Sequence, residues 1–238
     1  MMLYLRQGGE PVGYLSILQE NSALTQMNMQ LAPVFARYCL HAEELTAELV
    51  KETETLVESN TTPSVQLIDL GLPSGTLWAD RNIGADAPEK AGDYFRFGET
   101  TPFTEKSIPY VYENLGDGFE VAGTEHDAAT AILGPEWQTP SEDQVRELHD
   151  YCTGSWETIN SVDGLKVTGP NGNSIFLPLA GNLNMSGELS AYGKGGSIWS
   201  SSYLGNSLGR LLFWQSGYWN VDGFDRSFGF PIRPVISK

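Results

Sequence analysis

The sequence predicts an α+β fold, in which a domain of short antiparallel strands with one or two helices follows a helical N-terminal segment. Residues 35–59 lack Gly and Pro and are rich in Ala, Leu and Glu, the composition of a helix. After residue 65, short apolar runs alternate with Gly, Asn and Pro, the texture of strands joined by turns. We therefore divide the chain into a helical attachment or oligomerisation segment over 1–60, a linker over 61–65 and a folded domain over 66–238.

The N-terminal segment carries an apolar seam of the kind that packs helices together. Pro33 suits the first turn of the predicted helix. Six apolar or aromatic side chains then recur at heptad spacing, and these are Phe35, Tyr38, Ala42, Leu45, Leu49 and Leu56. A single amphipathic helix docked on its own domain would show the same spacing, so self-association and intramolecular docking both stay open. If the seam serves assembly, we expect a homo-oligomer, with a trimer favoured.

One helix of the folded domain has a complete start signal. Ser141 suits an N-cap, and Gln144, three residues later, suits its capping-box partner. Val145 and Leu148 fall on one face of this helix, which we expect to be buried. Residues 126–133 allow a second helix.

A β-hairpin is predicted over residues 166–176, with its turn at Asn171-Gly172. Both residue types tolerate positive φ, which tight hairpin turns require. The flanking runs KVT and SIF have the composition of short strands.

The charge of the chain is large, negative and unevenly distributed. Thirty acidic residues against 14 basic ones give a formal charge of −16. We therefore expect no binding to nucleic acid or to anionic membranes, since both need Lys and Arg to meet phosphate groups. Residues 164–238 differ from the rest, because six basic and three acidic residues give them a charge of +3, and they hold three of the six tryptophans. A site whose chemistry differs from the general surface is expected there.

The sequence has no signature of catalysis or of metal binding. Its three histidines are scattered, and Cys39 and Cys152 are too few for a zinc site of four thiolates or a disulfide framework. The serines at 200–202 lack the strand-turn-helix surroundings of a nucleophile, and no phosphate-binding loop or membrane-length apolar run occurs. We therefore expect a non-enzymatic protein without a metal or cofactor and without membrane insertion, whose two thiols are structural.

The C-terminal stretch over residues 198–235, here called the aromatic tail, offers the best candidate surface. Alternation along 209–215 places Leu211 and Phe213 on one face of a strand and Arg210, Leu212 and Trp214 on the other. Because a charged side chain shares the second face, we expect that face to be exposed. The alternative is that both faces are buried between two layers, with the tryptophan in the core. Aromatic residues mixed with Asn, Asp, Ser and Gly, as in this tail, are typical of recognition surfaces.

Ordered motifs in the folded domain resemble a known family. They are IDLGLPSGTLWADRNIGA (68–85), GDYFRFGETTP (92–102), QTPSED (138–143), VTGPNGNSIFLP (167–178), WSSS (199–202) and IRPV (232–235). This set is similar to the Fibrobacter succinogenes major paralogous domain, which is abundant in surface proteins of Bacteroidetes. The resemblance implies a C-type-lectin-like fold, related to that of formylglycine-generating enzymes. Residues 199–238 contain no cysteine, so the oxidase chemistry of those enzymes is not carried over.

Related domains form the variable proteins of diversity-generating retroelements, whose C-terminal segment displays a mutable ligand-binding surface. By this resemblance the WSSS and RPV motifs are scaffold, and residues between them bind the ligand. The residues so implied are Tyr203, Leu204, Asn206, Arg210, Leu212, Trp214, Tyr218, Asn220, Asp222, Phe224 and Asp225. Family members often carry a cysteine where this chain has Asp80, so the disulfide that the family implies with the equivalent of Cys152 lacks one partner here.

These features together predict a ligand-binding adhesion protein. Family relatives are usually exported lipoproteins, whereas residues 1–19 do not have the pattern of a secretory signal. A bacteriophage fibre or tail protein needs no such signal, so we expect a virion location, with contacts to other virion proteins through residues 1–60. Its ligand would be a host-surface or mucosal glycan or protein. The alternative is a bacterial cell-surface adhesin of the same family, and an enzyme of the formylglycine-generating type ranks third.

Overall fold

The computed structural model describes residues 65–104, 109–110, 116, 118–205 and 207–238, together with the backbone of two short strands near the start of the chain. The chain divides into two units, Met1–Thr61 and Thr62–Lys238. In the first unit, β1 (Arg6–Gln7) pairs antiparallel with β2 (Glu10–Pro11). The predicted N-terminal helix stays a prediction, because its seam residues lie outside the described residues, namely Phe35, Tyr38, Ala42, Leu45, Leu49 and Leu56.

The second unit has the predicted α+β composition. Its helices are α1 (Ala128–Leu133) and α2 (Glu142–Tyr151). Its strands are β3 (Leu67–Asp69), β4 (Leu77–Ala79), β5 (Thr153–Ile159), β6 (Val162–Thr168), β7 (Ser174–Pro178), β8 (Asn182–Leu183), β9 (Leu189–Ser190), β10 (Gly195–Gly205), β11 (Leu208–Gln215), β12 (Tyr218–Asp225) and β13 (Val235–Ile236). They pair antiparallel in the orders β13-β4-β3, β5-β6-β7, β8-β9 and β10-β11-β12. Neither helix in this part of the chain combines the length and the apolar character that crossing a membrane requires.

Both predicted helices form. The Ser141 hydroxyl accepts a hydrogen bond from the Gln144 N–H at 3.2 Å, and the Gln144 side chain accepts one from the Ser141 N–H at 2.9 Å. Val145 and Leu148 are fully buried, so the capping box and the buried face of α2 are confirmed. The shorter helix α1 begins after Asp127, whose carboxylate accepts the Ala129 N–H at 3.0 Å.

The predicted hairpin is formed by β6 and β7. Gly172 has a φ of +86°, while Asn171 is not among the residues with positive φ. The Asn171 amide instead donates a hydrogen bond to the Asp69 carbonyl at 2.8 Å. The turn therefore needs only the glycine for its left-handed backbone, and the asparagine ties the hairpin to β3.

The β10-β11-β12 sheet lies between two hydrophobic cores. On one face, Ile198, Leu212 and Trp214 belong to a core shared with α2 and the β6-β7 hairpin. On the other face, Trp199 and Leu211 belong to a core shared with α1. Because alternate residues of a strand point to opposite faces, β10 and β11 each contribute to both cores.

The predicted exposure of the face formed by Arg210, Leu212 and Trp214 is wrong. Leu212 is 0% exposed and Trp214 is 1% exposed, because α2 packs over this face. Arg210 lies at its margin, where its Nε is 3.0 Å from Glu142 Oε2 at the start of α2. The charge is paired there without exposing the face. The alternative prediction is correct in placing Trp214 in the core, whereas the opposite face is buried only in part, since Phe213 is half-buried and Gln215 is exposed.

Trp214 occupies its place in the core because position 196 carries no side chain. A Cβ atom at Gly196 would lie only 2.4 Å from the indole ring of Trp214. Cross-strand pairing sets these two residues opposite each other, so the glycine makes room for the large ring.

The WSSS and IRPV motifs hold the domain together. The Trp199 indole N–H donates a hydrogen bond to the Phe95 carbonyl at 2.7 Å, and its ring meets that of Phe230 edge to face at 4.8 Å. Arg233 is fully buried and donates hydrogen bonds to three acceptors on two segments, Ala79 and Asn82 at and just after the end of β4 and Phe176 in β7. These residues therefore link parts of the chain that are distant in sequence.

Cys152 is a free and buried thiol. Burial raises the pKa of this thiol to about 11, so little thiolate forms at neutral pH and the side chain packs as an apolar group. Asp80 makes polar contacts of its own, since it accepts the Gln66 N–H at 3.0 Å and forms an ion pair with Arg81 at 2.6 Å.

Candidate ligand-binding cleft

A cleft opens beside the β8-β9 hairpin, on the face of the β10-β11-β12 sheet opposite α2. Its volume is about 270 Å³. Pairing brings its residues together, because Ser197 faces Phe213 across β10 and β11, and Leu211 faces Asp222 across β11 and β12. The full lining is Gly181, Asn182, Ala191, Lys194, Gly195, Gly196, Ser197, Leu211, Phe213, Gln215, Asp222, Phe224 and Phe230.

Apolar side chains form the floor of the cleft. Leu211 and Phe230 are almost fully buried, Phe213 is half-buried, and Phe224 is 39% exposed. The rings of Phe224 and Phe230 meet edge to face, with centroids 5.1 Å apart. Such packing fixes the ring orientations, so the floor is formed before any ligand arrives.

Polar side chains surround this floor with unused hydrogen-bonding capacity. Within the part of the chain that the structure describes, the side chains of Asn182, Lys194, Ser197 and Gln215 make no hydrogen bond to a protein group. Asp222 accepts the Gly223 N–H at 2.7 Å through one carboxylate oxygen, which leaves the other oxygen for a ligand. The lining holds one cation and one anion, so the cleft carries no net charge in a chain of charge −16.

The turn after β9 and the residues that lead into β8 form one wall of the cleft. Gly181 and Ala191 both have positive φ, +64° and +55°. A Cβ atom at Gly181 would lie 2.2 Å from the Ser190 carbonyl oxygen, so only glycine fits there. The Tyr94 hydroxyl donates a hydrogen bond to the Ala180 carbonyl at 2.5 Å, and burial raises the pKa of that hydroxyl to about 12. The wall is therefore anchored to the domain at its base.

The structure brings together part of the predicted ligand-binding set. Asp222 and Phe224 line the cleft. Tyr218 and Asn220 lie on the same face of β12, and the tyrosine is 51% exposed. The four residues therefore share one strand face, with two of them in the cleft and two outside its lining.

The other described residues of the predicted set are not at the cleft. Leu212 and Trp214 are core residues, and Arg210 is paired with Glu142. Tyr203 is buried, and the Arg226 guanidinium lies 4.8 Å from the centre of its ring. Asp225 accepts a hydrogen bond from the Ser227 N–H at 2.9 Å. Leu204 is exposed but does not line the cleft. Asn206 lies outside the described residues.

Sequence reasoning missed most of the polar lining. Gln215 shares the strand face of Leu211 and Phe213, a face for which no binding residue was predicted. Asn182, Lys194 and Ser197 precede the tail and reach the cleft only because the β8-β9 hairpin and the start of β10 lie beside it. The alternation along β11 contained the signal for Gln215, but no local pattern marked the other three.

Comparison of the chain with protein-family models, with curated proteins and with solved structures gives no match. The function is therefore inferred from the residues of the cleft and from the sequence motifs.

Proposed function

We propose that residues 66–238 form a C-type-lectin-like domain that binds a host-surface or mucosal glycan or protein and catalyses no reaction. One observation carries this proposal: an aromatic floor is surrounded by polar side chains, four of which make no hydrogen bond to a protein group in the part of the chain that the structure describes. Binding pockets commonly combine an apolar lining, which supplies affinity, with a few polar groups that orient the ligand.

The charged groups of the cleft favour binding over catalysis. Acid–base hydrolysis of the glycosidase type needs two carboxyl groups on either side of the bond that breaks. The lining supplies one carboxylate, Asp222, and one ammonium group, Lys194, and both are exposed. Exposed groups at the rim of an apolar cleft suit hydrogen bonding to a ligand.

Binding is expected to weaken at least about tenfold in the Asp222→Ala and Phe224→Ala variants. The first removes a charged acceptor and the second removes a ring of the floor, and each loss is worth about 1.4 kcal/mol or more. The measurement is binding of the full chain to a glycan array, to mucins and to a panel of Bacteroidetes cells.

Two variants serve as matched controls. Asp143→Ala removes an exposed carboxylate and Trp156→Ala removes an exposed aromatic ring, and neither residue lines the cleft. Both controls should bind as the wild type does. Equal binding by the wild type and both cleft variants would place the site elsewhere, and a wild type that binds no surface on any of the panels would contradict the function itself.

We also propose that residues 1–60 assemble the chain into a trimer and attach it to a bacteriophage virion. Light scattering on the full chain should then give the mass of three chains. The double substitution Leu45→Asp and Leu49→Asp should return a monomer, because it places charges in the apolar seam, whereas Thr46→Asp, off the seam, should not. A wild-type chain that stays monomeric at high concentration would contradict assembly.

The genes that neighbour the gene of this protein test the virion location. Capsid and tail genes are expected there, and cell-surface genes in their place would contradict that location.

A further inference from the structure

We propose that the cleft holds a single neutral pyranose ring, the accessible unit of a glycan. Its C–H face would lie on Phe213 and Phe224, and its hydroxyl groups would meet the polar side chains around the floor. This inference rests on the proposed binding function and narrows the ligand from a glycan or protein to a glycan.

The size of the cleft favours one ring. Its volume of about 270 Å³ lies just below the range of roughly 300–1,000 Å³ in which drug-sized ligands bind. An extended oligosaccharide would therefore place one unit inside the cleft and leave its neighbours at the rim. Tyr218, which is exposed, and Asn220, which is half-buried, lie on the same strand face as the floor residue Phe224, where such neighbours would extend.

The floor suits a ring that presents C–H groups. Aromatic faces carry partial negative charge, and the C–H groups of a sugar, polarised by adjacent oxygens, carry partial positive charge. Phe213 and Phe224 are only partly covered by protein, so ring surface remains for this contact. Burial of that surface would supply the hydrophobic part of the affinity.

The polar groups of the cleft need a partner that both donates and accepts hydrogen bonds. Lys194 only donates, Asp222 only accepts, and the amides of Asn182 and Gln215 do both. Hydroxyl groups can form hydrogen bonds with all of these side chains, because each hydroxyl is both a donor and an acceptor.

Other ligand classes leave some of these groups unmatched. An apolar amino-acid side chain would cover the floor but would desolvate the polar groups without replacing their hydrogen bonds. A phosphate or sulfate group would attract Lys194 but would be repelled by Asp222. A neutral polyhydroxylated ring incurs neither penalty.

The test titrates the full chain by NMR with defined probes. These are the methyl pyranosides of glucose, galactose, mannose and N-acetylglucosamine, with N-acetylphenylalaninamide as the model of a protein side chain. At least one pyranoside should bind saturably, with a dissociation constant in the millimolar range, about −4 kcal/mol. Lys194→Met and Gln215→Ala should each weaken that binding about three- to tenfold, the loss of one hydrogen bond.

Matched substitutions outside the lining keep the test specific. Lys90→Met and Gln66→Ala remove exposed side chains of the same two types elsewhere on the domain, and they should leave pyranoside binding unchanged. Pyranoside binding that is insensitive to both cleft substitutions would overturn the inference.

Two further outcomes separate this inference from the function on which it rests. If N-acetylphenylalaninamide binds with sensitivity to the cleft substitutions and no pyranoside does, the cleft takes a protein side chain, so the sugar inference fails while the binding function stands. If no probe binds up to about 50 mM, weaker than about −2 kcal/mol, the inference also fails, and binding to mucins and cells then decides the function independently.

Discussion

Replacing Arg233 by Met is expected to lower the free energy of unfolding by about 4 kcal/mol. The guanidinium is fully buried, and it donates hydrogen bonds to Asn82 Oδ1 at 2.8 Å, to the Ala79 carbonyl at 3.2 Å and to the Phe176 carbonyl at 2.7 Å. Burial lowers the pKa of this guanidinium, so its hydrogen bonds are what offset the cost of burying the charge. Methionine fills similar space but leaves the three acceptors without a donor.

The measurement is urea unfolding of the full chain followed by tryptophan fluorescence. All six tryptophans lie within residues 66–238, so the signal reports on the folded domain. Arg233→Lys should give an intermediate loss, because an ammonium keeps the charge but lacks the planar fork of donors. Arg146→Met is the matched control: its side chain is 47% exposed and, among the described residues, pairs with Glu142 one helical turn away, so the loss should stay below about 0.5 kcal/mol. A loss in Arg233→Met as small as in this control would contradict the structural role.

Replacing Asp127 by Asn is expected to lower the free energy of unfolding by about 3 kcal/mol. This carboxylate is completely buried and accepts hydrogen bonds from the Gly123 N–H at 2.8 Å, the Ala129 N–H at 3.0 Å and the Thr139 hydroxyl at 2.7 Å. It therefore caps α1 and ties that helix to the segment that leads into α2. Asparagine has nearly the same shape, but its NH₂ group would face N–H donors in place of an acceptor oxygen.

Asp143→Asn is the matched control for this second change. Asp143 lies in the first turn of α2, where its negative charge interacts favourably with the positive end of the helix dipole, but its side chain is exposed. Its neutralisation should cost less than about 1 kcal/mol. The same urea titration compares the two variants, and an equal and small loss in both would mean that the buried hydrogen bonds of Asp127 contribute little.

Features that depend on neighbouring residues could be predicted from the sequence. The capping box of Ser141 and Gln144 starts α2 as expected, because its hydrogen bonds join residues three apart. The β6-β7 hairpin forms around Gly172 for the same reason, since the turn backbone depends on one or two residues. Asp222 and Phe224 reach the cleft from a tail whose composition already indicated recognition.

The candidate site could be predicted only in part, because its lining comes from separate segments. Asn182 comes from the β8-β9 hairpin, Ser197 from β10, Gln215 from β11 and Asp222 from β12. No spacing rule links residues in a hairpin to residues on a sheet that follows it. The predicted residues therefore came from the tail alone, and four of the five polar side chains of the lining were missed.

By itself, the sequence determined the α+β class, the start of α2, the hairpin turn and the alternation of side chains along β11. Only the tertiary structure decided which face of β11 is covered by α2 and which face borders the cleft. Alternation shows that two faces differ, but the covering element decides their environments, and α2 lies more than 50 residues before β11 in the chain. Helix α2 buries Leu212 and Trp214 and pairs Arg210 with Glu142, and the opposite face, with Phe213 and Gln215, becomes the floor and rim of the cleft.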